Sequence, residues 1–213
     1  GHAVTVNKYG YQPNETTIGQ KMDADALDAY FAQHSGRTPL SGVTMKLQRW
    51  NGTAYQDYQY AEGENKKAGW GTKQFTVNSA GSFTFPLGLE AGKYRIIETS
   101  VPAAYEKFYD GSSDAAARYF EVTNRSVTVN MYNPEKISIQ LQKTGLDGET
   151  PVPDVTFKLM QGETAKYSAK TVDGGIASFR NITTGTYYLQ EENGAGYSAA
   201  YLSQYFKEYY KDT

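Results

Sequence analysis

The 213-residue chain contains no cysteine, which excludes disulfides, thiolate nucleophiles, zinc ribbons and iron–sulfur ligation together. The absence does not fix a compartment, because a reduced cytosol and a disulfide-poor bacterial surface both tolerate it. No apolar run approaches the roughly 18 residues that a membrane-spanning helix needs, and no signal-peptide pattern is present. The opening Gly1-His2 reads as a tag remnant, so a secreted origin stays open. Charge of neither sign dominates: 21 Lys+Arg stand against 23 Asp+Glu, without a long basic run. That balance argues against a nucleic-acid footprint and against a polybasic membrane surface. Histidine is nearly missing, with two residues in all, and His34 has no ligand partner at metal spacing. No HExxH, phosphate-binding glycine loop or Ser-His-Asp set occurs, so neither a cofactor nor an ordinary turnover enzyme is expected.

What the chain does have is 19 Tyr, 9 Phe and many Thr and Val, often in strict alternation. β-Branched and aromatic side chains suit a pleated, half-buried surface, and the alternation predicts strands. In the first half these fall near Val4 to Lys8, Val43 to Trp50, Gln74 to Val77, Ser82 to Phe85, Lys93 to Glu98, Arg118 to Val122 and Ser126 to Tyr132. Turn pairs such as Asn51-Gly52, Ala80-Gly81 and Ala91-Gly92 separate several of them. Short strands at this spacing predict an antiparallel sandwich. One helical insertion near 23–34 interrupts, with Leu27, Tyr30 and Phe31 at helical spacing behind Asp23 or Asp25 as cap. Asp23, Asp25 and Asp28 lack the glycine and terminal glutamate of a calcium loop and read as the solvated start of that helix.

After Asn133-Pro134-Glu135-Lys136 the alternation restarts, and the chain repeats itself. VTVNK, PLSGVTMKL and GKYRIIETSVPAAY recur as ISIQLQK, PVPDVTFKL and GTYYLQEENGAGY. The chain therefore reads as two related β domains in tandem, 1–135 and 136–213. Residues two apart share a strand face. Lys8 then lies on the face of Val4 and Val6, and Glu98 on that of Tyr94 and Ile96. In the second copy Lys143 follows Ile137, Ile139 and Leu141, and Glu191 follows Tyr187 and Leu189. Each domain thus points a Lys and a Glu along apolar faces, which is costly unless the pair neutralises or reacts.

This pattern resembles the Cna-B-type domains of Gram-positive surface proteins and sortase-assembled pilins. The resemblance rests on the Lys strand, the segment Leu40 to Leu47, the segment Gly92 to Pro102 and the closing Val129 to Pro134, and it covers nearly the whole chain apart from the helical insertion. It implies an all-β fold of two tandem immunoglobulin-like sandwiches and an intramolecular isopeptide bond promoted by a glutamate. Lys8 would be the nucleophile, Glu98 the catalyst and, by the family's spacing, Asn130 the acceptor. Strand parity along Val127, Val129 and Met131 selects Asn133 instead; Asn130 is favoured, with a bulge or outward-facing valines to reconcile the parity. In the second domain Lys143 and Glu191 match, but no closing strand with Asn or Asp follows. The chain is cut short, another polypeptide donates the strand, or the bond is lost; Asn193 and Asp212 are poorly placed candidates.

The resemblance further implies an extracellular protein of the bacterial cell wall or pilus surface, a pilin subunit or adhesin stalk. Its expected partners are other pilin subunits or the cell wall through sortase. With neither a YPK-like nor an LPxTG-like motif in the chain, shaft pilin, minor pilin and free-standing adhesin are not separated. A rival reading takes Tyr55, Tyr58, Tyr60, Trp70, Tyr105, Phe108 and Tyr109 as exposed loop aromatics that bind a glycan or a host matrix protein.

Overall fold

A computed structural model describes residues 1–14, 17, 22–107, 117–183 and 185–192. The chain divides into two compact units, Gly1–Glu135 and Lys136–Thr213. In the first, one sheet is built on β1 (Val4–Tyr11), flanked by β2 (Arg37–Pro39), β7 (Ser82–Thr84) and β10 (Val127–Pro134). The facing sheet is built on β3 (Thr44–Trp50), β4 (Tyr55–Gln59), β5 (Gly69–Trp70), β6 (Gln74–Thr76), β8 (Gly92–Ser100) and β9 (Ala117–Val122). Val4 and Val6 of β1 and Val129 and Met131 of β10 meet Met45 and Leu47 of β3 and Tyr94 and Ile96 of β8 in a single apolar core. Alternation is the cause, since every second residue of these strands is apolar and turned inward.

Among the described residues the pairings of this unit are antiparallel with one exception. β1 and β10 run parallel, with Lys8 opposite Met131 and Gly10 opposite Asn133. First and last strands lie side by side here because the chain crosses from one sheet to the other between them, which no local pattern encodes. The short strands β2, β4 and β5 also escape the alternation rule, being polar and exposed on much of their length.

The insertion forms α1 (Ala24–Phe31), whose N-terminus is capped by the Asp23 side chain accepting from the Ala26 amide at 2.9 Å. Ala24, Leu27 and Phe31 are its buried residues. Leu27 and Phe31 join Tyr11 and Tyr132 in a small second core on the outer face of β1 and β10.

Among the described residues the second unit repeats the plan with fewer strands. β11 (Ile137–Gln142) pairs with β14 (Ile176–Ile182) as β1 pairs with β7, and β12 (Thr156–Gln161) pairs with β15 (Tyr188–Glu191) as β3 pairs with β8. β13 (Thr164–Lys170) lies on the other side of β12. Val152, Val155, Phe157, Leu159, Ala177, Phe179 and Ile182 form its core. One expectation is corrected here. Ile137 and Ile139 stay 44% and 39% exposed, since among the described residues β14 is the only strand paired with β11, and Leu141 alone of the three packs on the core.

The repeat extends to backbone detail. Gly81 accepts from the Lys8 amide and Leu40 donates to the Lys8 carbonyl; Gly175 and Val152 do the same for Lys143. Both glycines have positive φ, and a Cβ would stand 2.7 Å from the Lys8 carbonyl oxygen at Gly81 and 2.3 Å from that of Lys143 at Gly175. Alanine at either site would meet both a left-handed backbone and a hard backbone contact. Gly81→Ala and Gly175→Ala are expected to destabilise their units by at least about 1–3 kcal/mol, as read by urea unfolding midpoints. Gly52→Ala, at positive φ but with open space around it, is expected to cost less.

Candidate functional site: a buried Lys-Glu-Asn cluster

Three polar side chains meet inside the first sandwich. Lys8 is fully buried, Glu98 is 2% exposed and Asn133 is fully buried. β1 places Lys8 one alternation beyond Val6, and β8 places Glu98 one alternation beyond Ile96, so the same periodicity that builds the core delivers the ion pair into it. Lys8 Nζ donates to Glu98 Oε1, and Asn133 Nδ2 donates to Glu98 Oε2 at 3.1 Å. The carboxylate therefore bridges an amine on the first strand and a carboxamide on the last. A second donation from Asn133 Nδ2, to the Glu106 carbonyl at 2.8 Å, fixes the amide from the other side.

Glu106 is held in turn by its own amide, which donates to the Pro134 carbonyl. Tyr105, next to it, lays its ring against Gly10, where a Cβ would come within 2.5 Å of a ring carbon. Gly10 faces Asn133 across the β1–β10 pairing. An aromatic lid and a backbone acceptor thus close the end of the cluster, and neither carries a recognisable signal in sequence.

The asparagine in the cluster is Asn133, the one that strand parity selects, and not Asn130. Asn130 lies on the opposite face of β10, where it accepts from Asn7 Nδ2 at 3.2 Å and donates to Asp28 at 2.9 Å. No bulge interrupts β10, and the regular two-residue period carries Asn133 inward and Asn130 outward. Glu98 meets the amide nitrogen of Asn133 rather than its carbonyl oxygen. Asn133 Oδ1 is buried and accepts no hydrogen bond among the described residues.

The electrostatics make the Lys8 amine easier to deprotonate than a solvated lysine. Complete burial pushes the Lys8 pKa down, and the neighbouring Glu98 carboxylate opposes that shift without reversing it. Water is the good solvent for an ammonium, and none of its stabilisation is available here.

The second unit holds the matching pair. Lys143 Nζ lies 3.5 Å from Glu191 Oε1, and the Glu191 side chain is 2% exposed. Neither Glu191 oxygen accepts a hydrogen bond among the described residues. Burial raises the Glu191 pKa against the pull of Lys143. No Asn or Asp is described beside this pair; Asn193 and Asp212 lie outside the described residues.

The remaining expectations fall elsewhere. Asp23 caps α1, Asp25 pairs with Arg118 at 2.9 Å, and Asp28 contacts β10, so the three carboxylates do not converge. His34 stacks on Tyr30 with ring centroids 4.1 Å apart. Among the loop aromatics, Tyr58 and Tyr60 are buried in the core, and Tyr60 packs on Phe75, Phe83 and Phe85. Trp70 is exposed with its edge against Tyr58, and Tyr55 contacts Trp50 and Tyr119. Phe108 and Tyr109 lie outside the described residues.

The fold and the cluster define a class of β-sandwich module that buries a Lys-Glu pair between its two sheets. The sequence matches the family model described as the SpaA prealbumin-like fold domain twice, over residues 32–135 and 137–206, and the chain belongs to that family. Among solved structures it is similar to a streptococcal ancillary pilin, at 18% identity and a TM-score of 0.46, over 92% of this chain and 55% of that one. It is also similar to the shaft pilin SpaA of Lactobacillus rhamnosus GG as an E269A/D295N double mutant (15% identity, TM-score 0.43, 93% of this chain and 90% of that one). A third similarity is to GBS52, the minor pilin of Streptococcus agalactiae (17%, 0.39, 92% and 85%). The chain spans about half the length of the ancillary pilin. A search of curated protein sequences returns no match.

The raised pKa of Glu191 has a direct consequence. Above its ordinary value of 4.5 the unfolded chain releases this proton while the folded chain retains it, so stability falls as pH rises from about 4.5 through the folded value. Glu191→Gln is expected to flatten that dependence, measured as hydrogen-exchange protection of the β12 amides across pH 4 to 8. An unchanged slope in the variant would assign the effect to another group.

Proposed function

We propose that this chain is part of a structural and adhesive subunit of a bacterial surface fibre, a pilin or adhesin stalk, whose first domain crosslinks itself through a Lys8–Asn133 isopeptide bond. The observation that carries the proposal is the Glu98 carboxylate, hydrogen-bonded at once to the Lys8 amine and to the Asn133 amide nitrogen inside an apolar core. Family membership supports the reading. The step begins with transfer of one proton from Lys8 Nζ to Glu98, leaving an amine with a free lone pair. Nζ attacks Asn133 Cγ, and the Nζ–Cγ bond forms. Glu98 relays a second proton from Nζ to Nδ2, the Cγ–Nδ2 bond breaks, and ammonia leaves. Nothing is oxidised or reduced, and Glu98 is left protonated, holding the first proton that Lys8 gave up. The reaction happens once per molecule and turns over no substrate.

The position of the bond suits a load-bearing role. β1 and β10 run parallel, so a pull on the start of β1 and the end of β10 acts in shear along their pairing. An amide joining the two strands takes that load in place of the hydrogen bonds. It also closes a loop of about 125 residues, which by the chain-entropy estimate for a crosslink stabilises the fold by about 5 kcal/mol. Extracellular exposure, with other subunits or the wall as neighbours through sortase, is the setting in which resistance to force and proteases matters. The glycan-binding alternative receives less support, since Tyr58 and Tyr60 serve the core and Tyr105 covers the cluster.

Intact mass spectrometry tests the chemistry. The folded wild type and Asn130→Ala are each expected about 17 Da below the mass of their sequences, from loss of ammonia in the displacement. Asn133→Ala and Glu98→Ala are expected at full mass. A wild type at full mass would overturn the bond, and a full-mass Asn130→Ala beside a shortened Asn133→Ala would return the acceptor to Asn130.

A further inference from the structure

We propose that Asp28 of the helical insertion is a positioning residue for the bond-forming step, acting from the opposite face of β10; this rests on the Lys8–Asn133 reading above. Asp28 Oδ1 accepts from Asn130 Nδ2 at 2.9 Å and from the Tyr132 hydroxyl at 2.5 Å. These are the two outward residues of β10 that alternate with the inward Met131 and Asn133. One carboxylate on the helix therefore holds the strand at residues i and i+2, directly behind the acceptor.

Further contacts tie the same grip together. Arg37 donates to the Tyr132 hydroxyl at 2.7 Å, and Asn7 of β1 donates to Asn130 at 3.2 Å. Arg118 spans the helix and the strand, donating to Asp25 at 2.9 Å and to the Asn130 carbonyl at 3.2 Å. The Tyr132 ring is stacked between Tyr9 and Phe31. β10 is thereby fixed along its length against β1.

Register is what this grip controls. The side-chain period of a strand is two, so a slip of β10 by one residue would turn Val129 and Met131 out of the core with Asn133, and burial itself opposes it. A slip of two residues keeps an apolar face inward, as Val127, Val129 and Met131 repeat along β10, yet carries Asn133 away from Glu98. Asp28 distinguishes the native register because only there do an amide and a phenol both face its carboxylate. Asn130 is then a handle by which the strand is held, while Asn133 is the group that reacts.

The test follows the reaction in time. The full chain is made by cell-free synthesis, quenched in denaturant at intervals and weighed, so that the growth of the species about 17 Da lighter gives a rate. Asp28→Ala is expected to slow that rate at least about tenfold, the scale on which small misplacements of reacting groups act. Asp28→Asn keeps the acceptor oxygen and is expected to react within about twofold of wild type on the same scale. Asp23→Ala removes the helix N-cap but no contact to β10 and is expected to keep the wild-type rate. Tyr132→Phe removes one of the two donors, is expected to react at an intermediate rate, and carries the test should Asp28→Ala fail to fold. Wild-type rates in Asp28→Ala, or equal slowing in Asp23→Ala, would overturn the positioning role while leaving the bond in place. A wild type that never loses mass would overturn the bond and this role together.

Discussion

A lysine amine with no access to water sits at the centre of the first sandwich, and its contact with Glu98 is the interaction on which the rest of the unit depends. Two charges in an apolar core are expensive to bury, and replacing such a pair with apolar residues of similar volume is often neutral or stabilising. A pair kept for packing alone would therefore be a poor solution. Burial pushes the Lys8 pKa down, and the carboxylate it contacts also accepts from the Asn133 amide. In the proposed reaction, the cost of burial becomes the activation of a nucleophile.

Much of this was readable from the residues themselves, and the boundary of what was readable has a physical cause. The inward Lys8 and Glu98 follow from two-residue alternation, which is local and survives in sequence. The helix over Ala24–Phe31 follows from Asp23 and the spacing of Leu27 and Phe31 for the same reason. The acceptor required knowing whether β10 bulges, and family spacing pointed to Asn130 while unbroken alternation pointed to Asn133; the regular β1–β10 register turns Asn133 inward. The Glu106 carbonyl, the Tyr105 lid and the Asp28 grip come from loops and an insertion packed across the sandwich, where no periodicity connects the partners. Ile137 and Ile139 mark the converse case: alternation marks an apolar face, but burial depends on neighbouring strands that a local pattern does not supply.

Repetition of the device in the second unit shows which parts belong together. The Lys strand, the glycine that approaches its carbonyl and the Glu strand recur as Lys143, Gly175 and Glu191. The helix and its contacts to β10 belong to the first unit alone among the described residues. In that unit the cluster has its carboxamide, and both faces of the acceptor strand are covered, by the core on one side and by Leu27, Phe31 and Tyr132 on the other. In the second unit the Glu191 carboxyl is buried beside Lys143 and, among the described residues, accepts no hydrogen bond.

The central claim is a covalent link between the first and last strands of one domain, and peptide mapping addresses it most directly. Proteolysis of the unfolded wild-type chain followed by tandem mass spectrometry is predicted to yield one branched peptide in which the Lys8 side chain is joined to that of Asn133. Two separate linear peptides carrying an unmodified Lys8 and an unmodified Asn133 would contradict it.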